Sequence, residues 1–166
     1  MKSLLLVKII ILIGYRLLFW HIFILKLATC PDNWLLHKSH CYYIHNTTSQ
    51  YDQIENLCRE KYLSYPAIID DIEKEILVNS MLNYDQIAWI GLQVESNQFK
   101  WYEDKAPYNY TNWPKNGSDL LNASSCVATK KSNDHSNSWY IQNCSYNLPF
   151  LCQRGRKWIC CVSLEW

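Results

Sequence analysis

The alternation of apolar and polar positions divides the chain into an apolar N-terminal stretch, two amphipathic helices and a series of short strands. Leu4 to Leu27 are mostly apolar, interrupted by Lys8, Arg16 and Lys26. His40 to His45 predicts a strand, carried by the β-prone run Tyr42, Tyr43 and Ile44. Ser49 is placed to cap a helix from Gln50 to Tyr62. The stripe Tyr51, Ile54, Leu57, Cys58 and Tyr62 has helical spacing and sets Cys58 on its inner face. Pro66 ends that segment, and Ala67 to Ile69 reads as a short strand. Asp70 and Glu73 form a capping-box pattern for a second helix reaching Leu82. Its expected inner stripe is Ile72, Ile76, Leu77 and Met81.

Ile87 to Leu92 and Phe99 to Trp101 predict two further strands. Cys126 to Thr129, Ser138 to Ile141 and Phe150 to Gln153 predict three more. Between these groups, Tyr102 to Ser124 shows no period and is rich in Asn, Tyr, Pro, Ser and Lys, which marks a long irregular loop. Two helices with mainly antiparallel strands make an α+β domain.

The N-terminal stretch is the candidate membrane segment. Twelve Leu, Ile and Phe residues lie between Lys8 and Lys26. At about −0.3 to −0.6 kcal/mol each they outweigh a central arginine at about +2.5 to +3.5 kcal/mol. Lys8 and Lys26 can snorkel to the two interfaces. Residues 1–29 therefore read as an uncleaved signal-anchor that displays the rest outside as a single-pass type II membrane protein. The competing reading is a cleaved signal peptide with Leu17 to Leu25 as its apolar core, giving a secreted protein. Arg16 reads as a tolerated charge in a marginal anchor.

Composition narrows the chemistry. The 166 residues leave room for one domain, and a net charge of +1 gives no electrostatic footprint for nucleic acid. Eight cysteines in so short a chain point to disulfides in an oxidising compartment. No C-x-x-C pair suggests zinc, and spacing alone leaves the pairing open. His21, His37, His40, His45 and His135 are scattered, none beside a nucleophile in a recognisable motif. With four glycines and no phosphate loop, nothing suggests an enzyme.

Cys30-Pro31-Asp32-Asn33-Trp34, Cys41-Tyr42-Tyr43 and Trp89-Ile90-Gly91-Leu92, followed by Cys126, Cys144 and Cys152, are similar to the long-form C-type lectin-like domain. The resemblance covers residues 30–153 and leaves residues 154–166 as a tail. It implies the pairs Cys30 with Cys41, Cys58 with Cys152, and Cys126 with Cys144. Calcium-dependent members carry Glu-Pro-Asn or Gln-Pro-Asp in the long loop, a Glu before the fourth cysteine and a Trp-Asn-Asp before the fifth. Here the loop reads Trp113-Pro114-Lys115-Asn116, Ser124 precedes Cys126 by two, and Trp139-Tyr140-Ile141 replaces the last motif. The resemblance thus implies a calcium-free recognition module of the natural-killer-receptor kind, with no cofactor, for a protein or glycoprotein ligand on a cell surface. A calcium-dependent carbohydrate-binding lectin is the alternative.

Sequons at Asn46, Asn109, Asn116 and Asn122 are candidate glycosylation sites, and glycans in the loop would crowd a sugar groove. Asn143 begins a poorer sequon with Cys144 in its middle. Trp101, Trp113 and Trp139 are expected in the core, which leaves Tyr102, Tyr108, Tyr110 and Tyr140 as candidate ligand contacts. Cys160 or Cys161 in the tail is the candidate bridge of a disulfide-linked homodimer. Residue usage rich in Ile, Asn, Lys and Tyr also resembles the lectin-like proteins of large DNA viruses such as poxviruses.

Overall fold

Strand β4 (Ile87–Glu95) runs through the middle of the molecule, and its apolar stretch is buried on both faces, as a central strand requires. The computed structural model describes residues 14–16, 30–96, 98–102, 108–115, 125–136 and 138–155. Along the chain follow β1 (Leu35–His37), β2 (His40–Ser49), a 3-10 turn (Tyr51–Gln53), α1 (Ile54–Tyr62), β3 (Tyr65–Pro66), α2 (Ile72–Met81), β4 and β5 (Gln98–Trp101). Strands β6 (Ser125–Lys130), β7 (Trp139–Asn143) and β8 (Leu148–Gly155) close it. They form one sheet in the order β1-β2-β8-β4-β6-β7, with β3 added on β8 and β5 on β4. All pairings are antiparallel except β4 with β8. The fold is α+β, as the alternation of polar and apolar residues implied.

Alternation along the strands builds two apolar layers. Ala88, Ile90 and Leu92 of β4, Val127 of β6 and Leu151 of β8 point to one side, where Val78 and Leu82 of α2 cover them. Trp89, Ala128 and Phe150 point to the other, with Ile54 and Cys58 of α1. Gly91 is required where β4 crosses the segment after β3. Its amide donates to the Ala67 carbonyl at 2.7 Å, and a Cβ there would meet the Pro66 and Ala67 carbonyl oxygens at 2.9 and 3.0 Å. Both obstacles are backbone. Gly91→Ala is expected to cost about 1–3 kcal/mol through overpacking, read as a lower urea midpoint at unchanged slope. A midpoint equal to the parent's would show that the two segments separate freely.

Several sequence expectations are corrected. Ser49 is the last residue of β2 and not the cap of α1; its hydroxyl donates to Gln53 Oε1 at 3.0 Å, and the helix proper starts at Ile54 after a 3-10 turn. The cap of α2 is Asp71, whose Oδ1 accepts from the Lys74 amide at 2.8 Å. Asp70 instead pairs with the Lys74 ammonium. The phase of α2 is shifted: Leu77 and Met81 of the expected stripe are partly buried against the core, but Ile72 and Ile76 are 51% and 44% exposed, while Glu75, Val78, Asn79 and the C-cap Leu82 are buried. Ala67 to Ile69 is buried but not a strand, because its amides bond singly to Leu151 and to the Gln153 side chain. β1 has no periodic signature in its three residues. β8 runs through Arg154 and Gly155, paired with Cys41 and His40, so the sheet extends past Gln153. Of residues 1–29 only 14–16 are described, in helical conformation. No described helix is long and apolar enough to cross a membrane. Cys160 and Cys161 lie outside the described residues.

Candidate functional site

Three disulfides staple the domain. Cys30–Cys41, Cys58–Cys152 and Cys126–Cys144 have Cα separations of 5.5, 5.7 and 5.1 Å. The middle one ties α1 to β8 across 94 residues and is wholly buried.

The candidate recognition face is where the long loop meets the start of β7. Residues 108–115 of the loop are anchored by aromatic rings. Trp139 is fully buried and meets Trp101, Tyr110 and Trp113 edge-on at ring-centroid distances of 5.7, 5.8 and 5.4 Å. Phe99 contacts Trp113 at 4.8 Å and stacks on Tyr108 at 5.4 Å. The Trp113 indole donates to the Tyr108 hydroxyl at 2.7 Å. Edge-on packing of this kind sets the positive edge of one ring against the negative face of the next.

Beneath this aromatic layer lies Glu75, fully buried on α2. One carboxylate oxygen accepts from the Ser138 hydroxyl at 2.5 Å and the other from the Trp139 indole at 2.9 Å. Asn112 completes the network. Its amide donates to Ser138 Oγ and to the His135 carbonyl, both at 2.9 Å, and its own carbonyl accepts from the Trp139 amide at 3.1 Å. Desolvation pushes the Glu75 carboxyl above its ordinary range, opposed by the bonds from Ser138, Trp139 and Asn112. The apolar pattern of α2 missed Glu75, Asn112 and Ser138 as a unit, since they are far apart along the chain and none belongs to a local motif.

The four tyrosines expected as contacts separate. Tyr102 is only 9% exposed: its ring stacks on Tyr65 at 6.1 Å and its hydroxyl accepts from Arg59 at 3.0 Å. It is a packing residue. Tyr108 and Tyr110 are half-buried against the core. Burial, helped by the nearby Glu75 and Asp71 charges, pushes the Tyr110 hydroxyl up to about 12. Tyr140 is 37% exposed. Thus the Trp-Asn-Asp positions hold a buried indole bonded to Glu75, an exposed Tyr140 and a half-buried Ile141.

Asp134 is the described carboxylate of the neighbouring β6–β7 loop. It accepts from the Ser132 and Ser136 hydroxyls and the Ser136 amide, and these bonds hold it down to about 2. Glu103, Asp104, Asp119, Ser124, Asn116 and Asn122 lie outside the described residues. Asn46 and Asn109 are exposed; Asn46 on β2 accepts from Gln86 at 3.3 Å. Exposed Asn143 already accepts from Ser145 through both amide and hydroxyl. A separate groove, lined by His45, Thr47, Leu57, Glu60 and Phe150, opens between α1 and β2.

The sequence profile of the Lectin C-type domain matches residues 47–154. The human protein named C-type lectin domain family 17, member A is 23% identical over 136 residues, covering 81% of this chain and 35% of that protein. Mouse early activation antigen CD69 is 26% identical over 131 residues, covering 78% of this chain and 59% of the antigen. The chain thus spans between about a third and three fifths of these two relatives. Among solved structures, a calcium-independent type II antifreeze protein superposes with a TM-score of 0.67 at 22% identity, covering 76% of this chain and 95% of that one. The profile match across most of the described residues, the sheet topology and the three disulfides agree: the chain belongs to the C-type lectin domain family.

Proposed function

We propose that this domain is an extracellular recognition module that binds a protein or glycoprotein on a cell surface without calcium. One observation carries the reading. At the positions where calcium-binding relatives place Trp-Asn-Asp, Trp139 is committed to the core through Glu75, and its successors are Tyr140 and Ile141. Calcium takes six to eight oxygen ligands, several of them carboxylates, and neither residue offers one. The contact surface in this reading is centred on exposed Tyr140 and the rim of the long loop, with Tyr108 and Tyr110 supporting it from below.

The relatives favour a receptor setting. Residues 1–29 act as the signal-anchor, with a secreted form after cleavage as the second reading, which sequencing of the mature N-terminus distinguishes. Residue usage supports a viral setting, in which the head would engage host immune cells. Glycans on exposed Asn46 and Asn109 fit this placement, and glycosidase treatment should shift the mobility of the mature protein.

Calcium provides the test. A resident site filled at a hundred times its dissociation constant would add about 2.7 kcal/mol of stability. Millimolar calcium is expected to leave both the melting temperature and cell-surface binding unchanged, and a chelator likewise. Glycan binding that the chelator abolishes would establish the carbohydrate-binding lectin instead.

A further inference from the structure

The β1–β2 hairpin turns through Lys38 and Ser39, and its register sets His37 opposite His40 and Leu35 opposite Tyr42. Directly opposed residues of an antiparallel pair share a face, and alternate residues return to it. His37, His40 and Tyr42 therefore project to one side of the hairpin. The N-terminus of α2 covers that side. His37 Nε2 lies 3.6 Å from Glu73 Oε2, and one ligating atom each from His37, Asp71 and Glu73 falls within 4.8 Å of the others. Among the described residues this is the one such grouping of His, Cys and carboxylate atoms.

Two polar groups here make no hydrogen bond. His37 Nε2 is closed to solvent and beyond hydrogen-bond distance of any acceptor or donor. The Tyr42 side chain is fully buried, and its hydroxyl is also unpartnered. That hydroxyl feels the charges of Asp70 and Asp71, and its ring meets His37 edge-on at 6.5 Å. Buried polar atoms are nearly always bonded, so such orphans call for an ion or water.

We propose that His37, Asp71 and Glu73 form a binding site for a divalent transition-metal ion of the zinc class, with His40, opposite His37 in the hairpin register, as the candidate fourth ligand. One imidazole nitrogen with two carboxylates is a zinc donor set, whereas calcium would need more oxygens. Tetrahedral bonds of about 2.0–2.1 Å separate ligand atoms by roughly 3.3–3.4 Å, close to the 3.6 Å between His37 and Glu73. Asp71 can ligate without uncapping α2: Oδ1 holds the Lys74 amide, and Oδ2 faces the hairpin. His40 Nδ1 is engaged with the Ser39 hydroxyl at 3.1 Å, which leaves Nε2 for a metal. Lys38 places its ammonium 2.7 Å from Glu73 and 3.4 Å from Asp71, as a built-in counter-ion. At 56% exposure on a flexible stem it can swing into water when the ion enters. The bound ion would clamp the β1–β2 hairpin to α2, remote from the long loop in sequence and independent of the recognition reading above.

The test is calorimetric titration of the oxidised full-length chain with zinc chloride, with calcium and magnesium chloride as controls. Saturable one-to-one zinc binding is expected, and little with the other two ions. His37→Ala and Glu73→Gln should each weaken it at least about tenfold. Lys38→Met should tighten it about tenfold, a gain that misfolding cannot produce. A Cys160→Ser/Cys161→Ser background should retain the site. Zinc affinity unchanged in His37→Ala, lost with the tail cysteines, or absent up to about 1 mM would overturn the proposal.

Discussion

The Cys58→Ala/Cys152→Ala double variant is expected to lose about 4–5 kcal/mol of stability. The bridge closes a loop of 94 residues. Loop-closure entropy in the unfolded chain grows with loop length, so this link constrains the denatured state most. The separation between Cys30 and Cys41 is 11 residues, and by the same relation that bridge contributes nearer 3 kcal/mol. Both sulfurs of the long bridge are wholly buried in the layer formed by Ile54, Trp89 and Phe150. Alanine there also leaves a void. Domains of this size are stable by only about 5–15 kcal/mol, so the variant should approach the unfolding threshold near body temperature. Urea unfolding followed by tryptophan fluorescence measures the loss. A drop below about 1 kcal/mol would mean that strand pairing between β2 and β8 alone holds the two ends of the head.

Glu75 is the second site where one side chain controls much of the fold. Glu75→Ala removes the shared acceptor of Ser138 and Trp139 and leaves both donors buried. Breaking a buried polar network from one side typically costs about 3–5 kcal/mol. Glu75→Gln keeps one acceptor oxygen and should cost less. The two variants also differ from the parent in pH dependence. Because desolvation raises the Glu75 carboxyl in the folded state, the native protein holds a proton there that the unfolded chain has already released. The associated stability is complete below the unfolded value of 4.5 and declines as pH rises through the folded value. Glutamine cannot titrate. The stability of Glu75→Gln relative to the parent is therefore expected to improve from pH 4 toward neutrality. A difference that stays flat over that window would show that the folded and unfolded carboxyls titrate alike.

The network ties the long loop to the helix beneath it. In Asn112, Ser138, Trp139 and Glu75 the chain has a set of bonds that fixes the base of the loop to α2 from inside. The aromatic cluster of Phe99, Tyr108 and Trp113 fixes it from above. Neither set depends on an ion.

Much of the architecture was legible before any coordinates. Strands β2, β4, β5, β6, β7 and β8 all fall where β-prone runs stand, because β-branched and aromatic residues in short stretches have few other uses. Ends were less legible: β2 extends to Ser49 and β8 to Gly155, since ladder bonds to a partner continue a strand beyond its apolar centre. The helix α1 showed its buried Ile54 and Cys58 through spacing alone. The inner face of α2 showed only in part, because two of its three buried positions, Glu75 and Asn79, are polar. Tyr102 looked like a loop aromatic and turned out to be packed under Arg59 and Tyr65.

The linear order of residues determined the family likeness, the number of bridgeable cysteines and the absence of calcium ligands at Tyr140 and Ile141. Those properties reside in which residue stands where. Tertiary structure alone decided that Glu75 faces inward, that Trp139 is bound to it, and that His37 meets Asp71 and Glu73. The partners of Glu75 are 63 and 64 residues away. A helix records its own amphipathic pattern locally, but a buried carboxylate is tolerated only where distant donors converge on it, and no local pattern records that convergence.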